Sequence, residues 1–158
     1  MKINYLLFGL ILLISVSQSI AWDYPVTPKS DGSCRVPPSE IRASLQIPPD
    51  TLRAMSTEEL IDVCLRHPYF GAIYFFDNVV FSLNGMIEGF NGLTELMNRD
   101  DAFGLLYKKF KLLGPENVKS DWGIRERGLF LFKENFVKML MALFIRNNIF
   151  QARLRCST

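Results

Sequence analysis

At 158 residues, with 49% hydrophobic and 22% charged side chains, the chain is long enough for one domain with a real core and too apolar for global disorder. The formal net charge is +2, and beyond residue 21, where only Lys2 is lost, 17 basic residues face 16 acidic ones. So even a balance gives no electrostatic case for a nucleic-acid partner.

Lys2 forms a short positive start, and Tyr5 to Ile14 is an apolar run broken only by Gly9. Ser15, Ser17, Gln18 and Ser19 follow, and Ser19-Ile20-Ala21 places small residues three and one positions before a cut. This anatomy predicts a signal peptide over residues 1–21, cleaved after Ala21, and hence a periplasmic or secreted chain. A membrane anchor needs about 20 apolar residues, and the run falls well short. No cysteine closes the run, as a lipoprotein requires; Cys34 comes only after Asp31-Gly32-Ser33. Three cysteines leave at least one outside any internal pair. Cys34 with Cys156 is the easiest bridge to draw, and no bridge at all is the open alternative.

Residues 22–38 mix proline, glycine, serine and aspartate without periodicity, the texture of a linker or extended arm. Residues 39–158 then read as one helical domain. Ser39 opens a short helix through Leu45, Pro48-Pro49 ends it, and Asp50 is expected to cap another turn. Ser56 and Glu59 have capping-box spacing, with Met55 and Leu60 as the hydrophobic staple. Leu60, Val63 and Cys64 share one face of that helix, and Pro68 closes it. Tyr69 to Phe76 is apolar nearly all round and should be buried. Asp77-Asn78 caps the next helix, whose inner face is expected to carry Val80, Leu83, Ile87 and Phe90, with Gly85 and Gly89 admitting a close neighbour.

Residues 90–114 read as two helices folded back on each other. Leu93, Leu96 and Met97 form one stripe, and Ala102, Leu105, Leu106 and Leu113 the other. Asn98 to Asp101 make the corner, Asp100 or Asp101 is expected to cap the second helix, and Gly114-Pro115 to stop it with a left-handed glycine. Ser120 or Asp121 is expected to cap a long last helix reaching Asn147. Its stripe is Leu129, Phe132, Phe136, Leu140 and Leu143, widened by Phe130, Val137, Met141 and Phe144. Lys133, Glu134, Asn135 and Lys138 break the run, so a core helix is expected and no membrane span. No stretch alternates with period two. The expected fold is all-α, a bundle or short solenoid-like array of antiparallel helix pairs.

The string Met55 to Phe70 (MSTEELIDVCLRHPYF), followed by Phe90 to Ala102 (FNGLTELMNRDDA), resembles a family of small, predicted-exported, all-helical bacterial proteins. The similarity covers roughly Pro49 to Met139. Its marks are structural, the STEEL cap and the F-N-G-L-x-E-L-x-x-R corner, and the resemblance implies no activity and no site residues.

Chemistry-bearing residues are sparse. His67 is the single histidine and lies three residues after Cys64 on one helix. A Cys–His catalytic pair needs an exposed thiolate and an oriented base. The plainer account has Cys64 in the core and His67 at a helix C-terminus, where it meets the dipole. Asp77 to Glu88 has the length of a calcium loop but puts Val79, Phe81 and Ser82 at positions that need ligands or glycine. No cofactor or metal motif is present. Lys108, Lys109 and Lys111, with the basic tail of Lys138, Arg146, Arg153 and Arg155, suggest at most a weak contact with an anionic surface.

The function expected is therefore an exported interaction module without a catalytic site, binding an envelope protein or itself. The expected surface is Tyr69, Phe70, Tyr74, Phe130, Val137 and Phe144, with Phe144 near its edge. A small exported hydrolase and a membrane-active helical protein are the alternatives.

Overall fold

The computed structural model describes residues 22–25, 38–74 and 77–156, with positions 38, 39, 72, 74 and 148–156 described by their backbone alone. The signal-peptide expectation, most of the linker, and the Cys34–Cys156 bridge lie outside what is described. Among the described residues the chain is all-helical and has no strand. In chain order the helices are α1 (Pro38–Ser44), α2 (Pro49–Ala54), α3 (Thr57–Leu65), α4 (Val79–Gly89), α5 (Asn91–Asn98), α6 (Ala102–Leu112) and α7 (Ile124–Cys156). Single 3-10 turns lie at Phe70–Tyr74 and Pro115–Asn117.

The capping box forms as its spacing predicts. The Glu59 backbone N–H donates to Ser56 Oγ at 3.3 Å, and the Ser56 N–H donates to Glu59 Oε2 at 2.9 Å. Met55 and Leu60 are both buried. Asn78 caps α4 through Oδ1, which accepts from the Phe81 N–H at 3.0 Å. Other expected caps are replaced. Asp50 falls inside the first turn of α2, behind Pro48 and Pro49, and makes no cap bond. Asp101 precedes α6, but its carboxylate accepts from the Thr57 hydroxyl at 2.8 Å instead of from an α6 N–H. The last helix begins at Ile124, after Ser120 and Asp121, and runs past Asn147 to Cys156. Its first turn closes on the Gly123 carbonyl, which accepts from the Arg127 N–H at 3.1 Å. Gly114 has φ −61°, so α6 stops there without a left-handed residue.

Helix α3 lies at the centre of the fold, against α5 and α6, and α6 packs on α7. The contact pairs fix the directions. Thr57 meets Asp101 and Asp62 meets Lys109, so α3 and α6 run the same way. Phe103 meets Phe144 and Lys138 lies over the Phe110 ring, so α6 and α7 are antiparallel. The core is one cluster in which Leu60, Leu93, Leu96, Leu106, Phe136 and Leu140 are closed to solvent. Phe136 stands at 90° to Phe70 with ring centroids 4.2 Å apart. In α4 only Leu83 of the expected inner face is fully buried within the helix; Phe90 is buried just after it, Ile87 is half-buried, and Val80 turns to solvent at 50% exposure. Gly85 and Gly89 have no neighbour within 4 Å of a notional Cβ, so they admit no close approach.

The F-N-G corner clamps the chain to itself. Asn91 brackets Ile47, accepting from its N–H at 2.9 Å and donating to its carbonyl at 2.8 Å. Gln46 returns the grip, accepting from the Asn91 N–H at 2.9 Å. A Cβ on Gly92 would run into the Phe90 ring and Ile47 Cδ1, so only glycine fits this approach. Arg99 completes the clamp: it donates to the carbonyls of Leu52 at 2.9 Å and Met55 at 2.8 Å and pairs with Glu95 at 3.0 Å. One guanidinium thereby satisfies the exposed carbonyls at the end of α2.

Candidate functional site

Cys64 and His67 are close in sequence, yet both are buried, at 1% and 8% exposure. Burial pushes the Cys64 thiol well above its ordinary range, the reverse of what a nucleophile needs. Burial also lowers the His67 pKa to about 4, so the ring is neutral at physiological pH. It does not act as a cation on the α3 dipole, contrary to the sequence expectation. Its Nδ1 accepts from the Tyr69 N–H at 3.2 Å, and its ring packs on Tyr24 and Phe90 with centroids 5.2 Å and 4.7 Å away. Among the described residues every buried side-chain nitrogen or oxygen has a hydrogen-bond partner, and no three His, Cys, Asp or Glu residues converge as a metal site would require.

A groove of about 660 Å³ opens where α3, α6 and the start of α7 meet. Its apolar lining is Val63, Leu65, Leu113, Trp122, Leu129 and Phe130. Charges of both signs ring it: Glu59, Asp62 and Arg66 on α3, Lys109 on α6, Glu126 and Lys133 on α7.

The periodicity of α7 explains why the groove exists. Phe136, Val137, Leu140, Leu143 and Phe144 are buried at spacings of one, four, seven and eight, the face turned to the core. Seven residues earlier the same face carries Leu129, Phe130 and Lys133, and Glu126 seven before that. At about 3.6 residues per turn the first three lie about two turns nearer the helix start and Glu126 about two turns before Lys133, beyond the end of the supporting body. Leu129 is therefore 53% exposed although it shares a face with the fully buried Phe136. Phe130 stays half-buried, steadied by Trp122 with ring centroids 5.1 Å apart. The inner face of α7 simply outruns the core.

Most groove charges already have partners. Lys109 pairs with Asp62, and Arg66 pairs with Asp23 at 3.0 Å. Glu126 and Lys133 make no ion pair or side-chain hydrogen bond among the described residues. The expected lysine patch is also partly spent, since Lys109 turns to Asp62 and Lys111 lies over the Tyr107 ring. Side chains of Arg153 and Arg155 lie outside the described set. Among the described residues no helix is long and apolar enough to cross a membrane.

The expected interaction surface is redistributed. Phe70, Val137 and Phe144 are buried core residues and do not present a surface; Phe144, expected near an edge, packs edge-on against Phe103. Tyr69 is half-buried, and the side chain of Tyr74 lies outside the described set. Of the six, Phe130 alone lines the groove. The reason is coverage: α6 and the turn at Phe70–Tyr74 shield the middle of α7, which sequence width alone did not reveal. Trp122, a lone tryptophan in a loop, carries no motif, and Lys133 reads in the sequence only as a break in the apolar run. The docking of Trp22 and Tyr24 on α3 was equally silent in the sequence.

No family model, curated protein or solved structure matches this chain.

Proposed function

We propose that the chain is an exported, all-α interaction module that binds a partner in the groove between α3 and the overhanging start of α7. The observation that carries this reading is Leu129, a leucine on the core-facing side of a helix that the described residues leave 53% exposed. The mixed apolar floor and charged rim suit a protein segment with apolar anchors, the usual helix-in-groove or peptide-in-groove chemistry. An anionic surface fits less well, because Lys109 and Arg66 are already neutralised by Asp62 and Asp23. The export half rests on the apolar start and small-residue cut of residues 1–21 and on the resemblance to small exported helical proteins.

A photo-crosslinking residue placed at position 129, with a control at Leu112, which is exposed but does not line the groove, tests the binding half in the envelope of a bacterial host. The reading expects an adduct at 129 and none at 112. Equal labelling at both positions, or none at 129, overturns it. Mass spectrometry of the same material tests export, which requires a mature N-terminus at Trp22.

A further inference from the structure

We infer that the occupant of the groove is the α7 overhang of a second copy of this chain, packed antiparallel about a two-fold axis between Leu129 and Phe130. This rests on the groove being the binding surface and names what fills it. The inner stripe of the overhang reads Glu126, Leu129, Phe130, Lys133. That order is self-complementary: reversed against itself, Glu126 of one copy meets Lys133 of the other, and Leu129 meets Phe130. A two-fold interface demands this property, since every contact must occur twice.

The charge state of the rim supports the choice. Glu59, Asp62, Arg66 and Lys109 bind groups of their own chain, so they offer little to a newcomer. Glu126 and Lys133 are the two rim charges with neither an ion pair nor a side-chain hydrogen bond among the described residues, they have opposite signs, and they flank the two apolar anchors symmetrically. A second copy neutralises both at once and covers Leu129 and Phe130 in the same step. The antiparallel pairing also keeps like charges apart, which a parallel arrangement would bring together at each end.

Sedimentation equilibrium of the purified chain should show a monomer–dimer equilibrium that weakens with added salt. Glu126→Lys alone and Lys133→Glu alone each create two like-charge contacts and should weaken dimerisation roughly a hundredfold. Mixing the two single variants should restore association as a heterodimer, because each then supplies the charge the other needs. A change in folding alone cannot produce that rescue. The inference is overturned by a parent that remains monomeric, by single variants that still dimerise like the parent, or by a mixture that stays monomeric. A monomeric parent that still gives the position-129 adduct sinks the dimer and leaves the binding reading intact; loss of the adduct as well sinks both.

Discussion

The hydroxyl of Tyr24 donates to the backbone carbonyl of Val63 at 3.0 Å, across 39 positions of chain. The aromatic ring lies edge-on to His67 and Trp22, and Arg66 reaches back to pair with Asp23. The first described residues are thus an outside brace on the C-terminal end of α3, giving a second donor to a carbonyl that already accepts from the Arg66 N–H at 3.0 Å. Burial pushes the Tyr24 hydroxyl well above its ordinary range, so it stays a donor across physiological pH. Tyr24→Phe should cost about 1 kcal/mol in denaturant melts, the value of one hydrogen bond, and Tyr24→Ala roughly 3 kcal/mol through the lost ring packing. Equal costs for the two would show that the hydroxyl contributes nothing.

His67 gives the fold a signed pH dependence. Its pKa falls from 6.5 in the unfolded chain to about 4 in the folded one, through burial. Between those values the unfolded state binds the proton more readily, so stability is complete above 6.5 and declines as pH falls toward 4. The full difference is on the order of 3 kcal/mol. Carboxylates titrate in the lower part of this window, so the informative quantity is the slope difference between the parent and His67→Phe. The variant should be flatter between pH 6.5 and 5, and identical slopes would remove His67 from the account.

Arg99 ties the α5–α6 corner to the end of α2 through three backbone and side-chain acceptors besides Glu95: Leu52, Met55 and Thr57. Its side chain is largely buried, so truncation leaves carbonyls open to little water. Arg99→Ala should cost about 3 kcal/mol by thermal or chemical melting, and Arg99→Lys most of that, because one ammonium cannot reach several acceptors in a fork. A lysine variant as stable as the parent would show that charge alone suffices.

The helix starts make a graded test. Ser56→Ala removes the N-cap acceptor and should cost about 1 kcal/mol, while Leu106→Ala empties a fully buried site and should cost roughly 2–5 kcal/mol. Denaturant melts that rank them in the opposite order would contradict the assignment of both.

What was legible in the sequence was local. The Ser56–Glu59 box, the Asn78 cap and the Leu93–Leu96 stripe are set by neighbours within four residues, and each stands where its spacing put it. What was not legible depends on partners more than 40 residues away. Asp101 looks like a cap until Thr57 takes its carboxylate, and Arg99 looks like a corner residue until α2 presents its carbonyls. The groove belongs to the second kind. Leu129 and Phe136 occupy the same helical face, and only the length of the body beneath α7 decides which is core. His67 likewise looked like a helix-end partner of the α3 dipole, but the arm of residues 22–24 and Phe90 pack on its ring.

The central claim is that the inner face of α7 is core at Phe136 and a binding surface at Leu129. Parallel measurement of stability and association in Leu129→Glu and Phe136→Ala tests it most directly. Leu129→Glu should change unfolding free energy by no more than about 0.5 kcal/mol while abolishing capture at the groove and self-association. Phe136→Ala should cost roughly 3–5 kcal/mol. If Leu129→Glu destabilises the fold as severely as Phe136→Ala, the overhang is core and the groove is not a binding site.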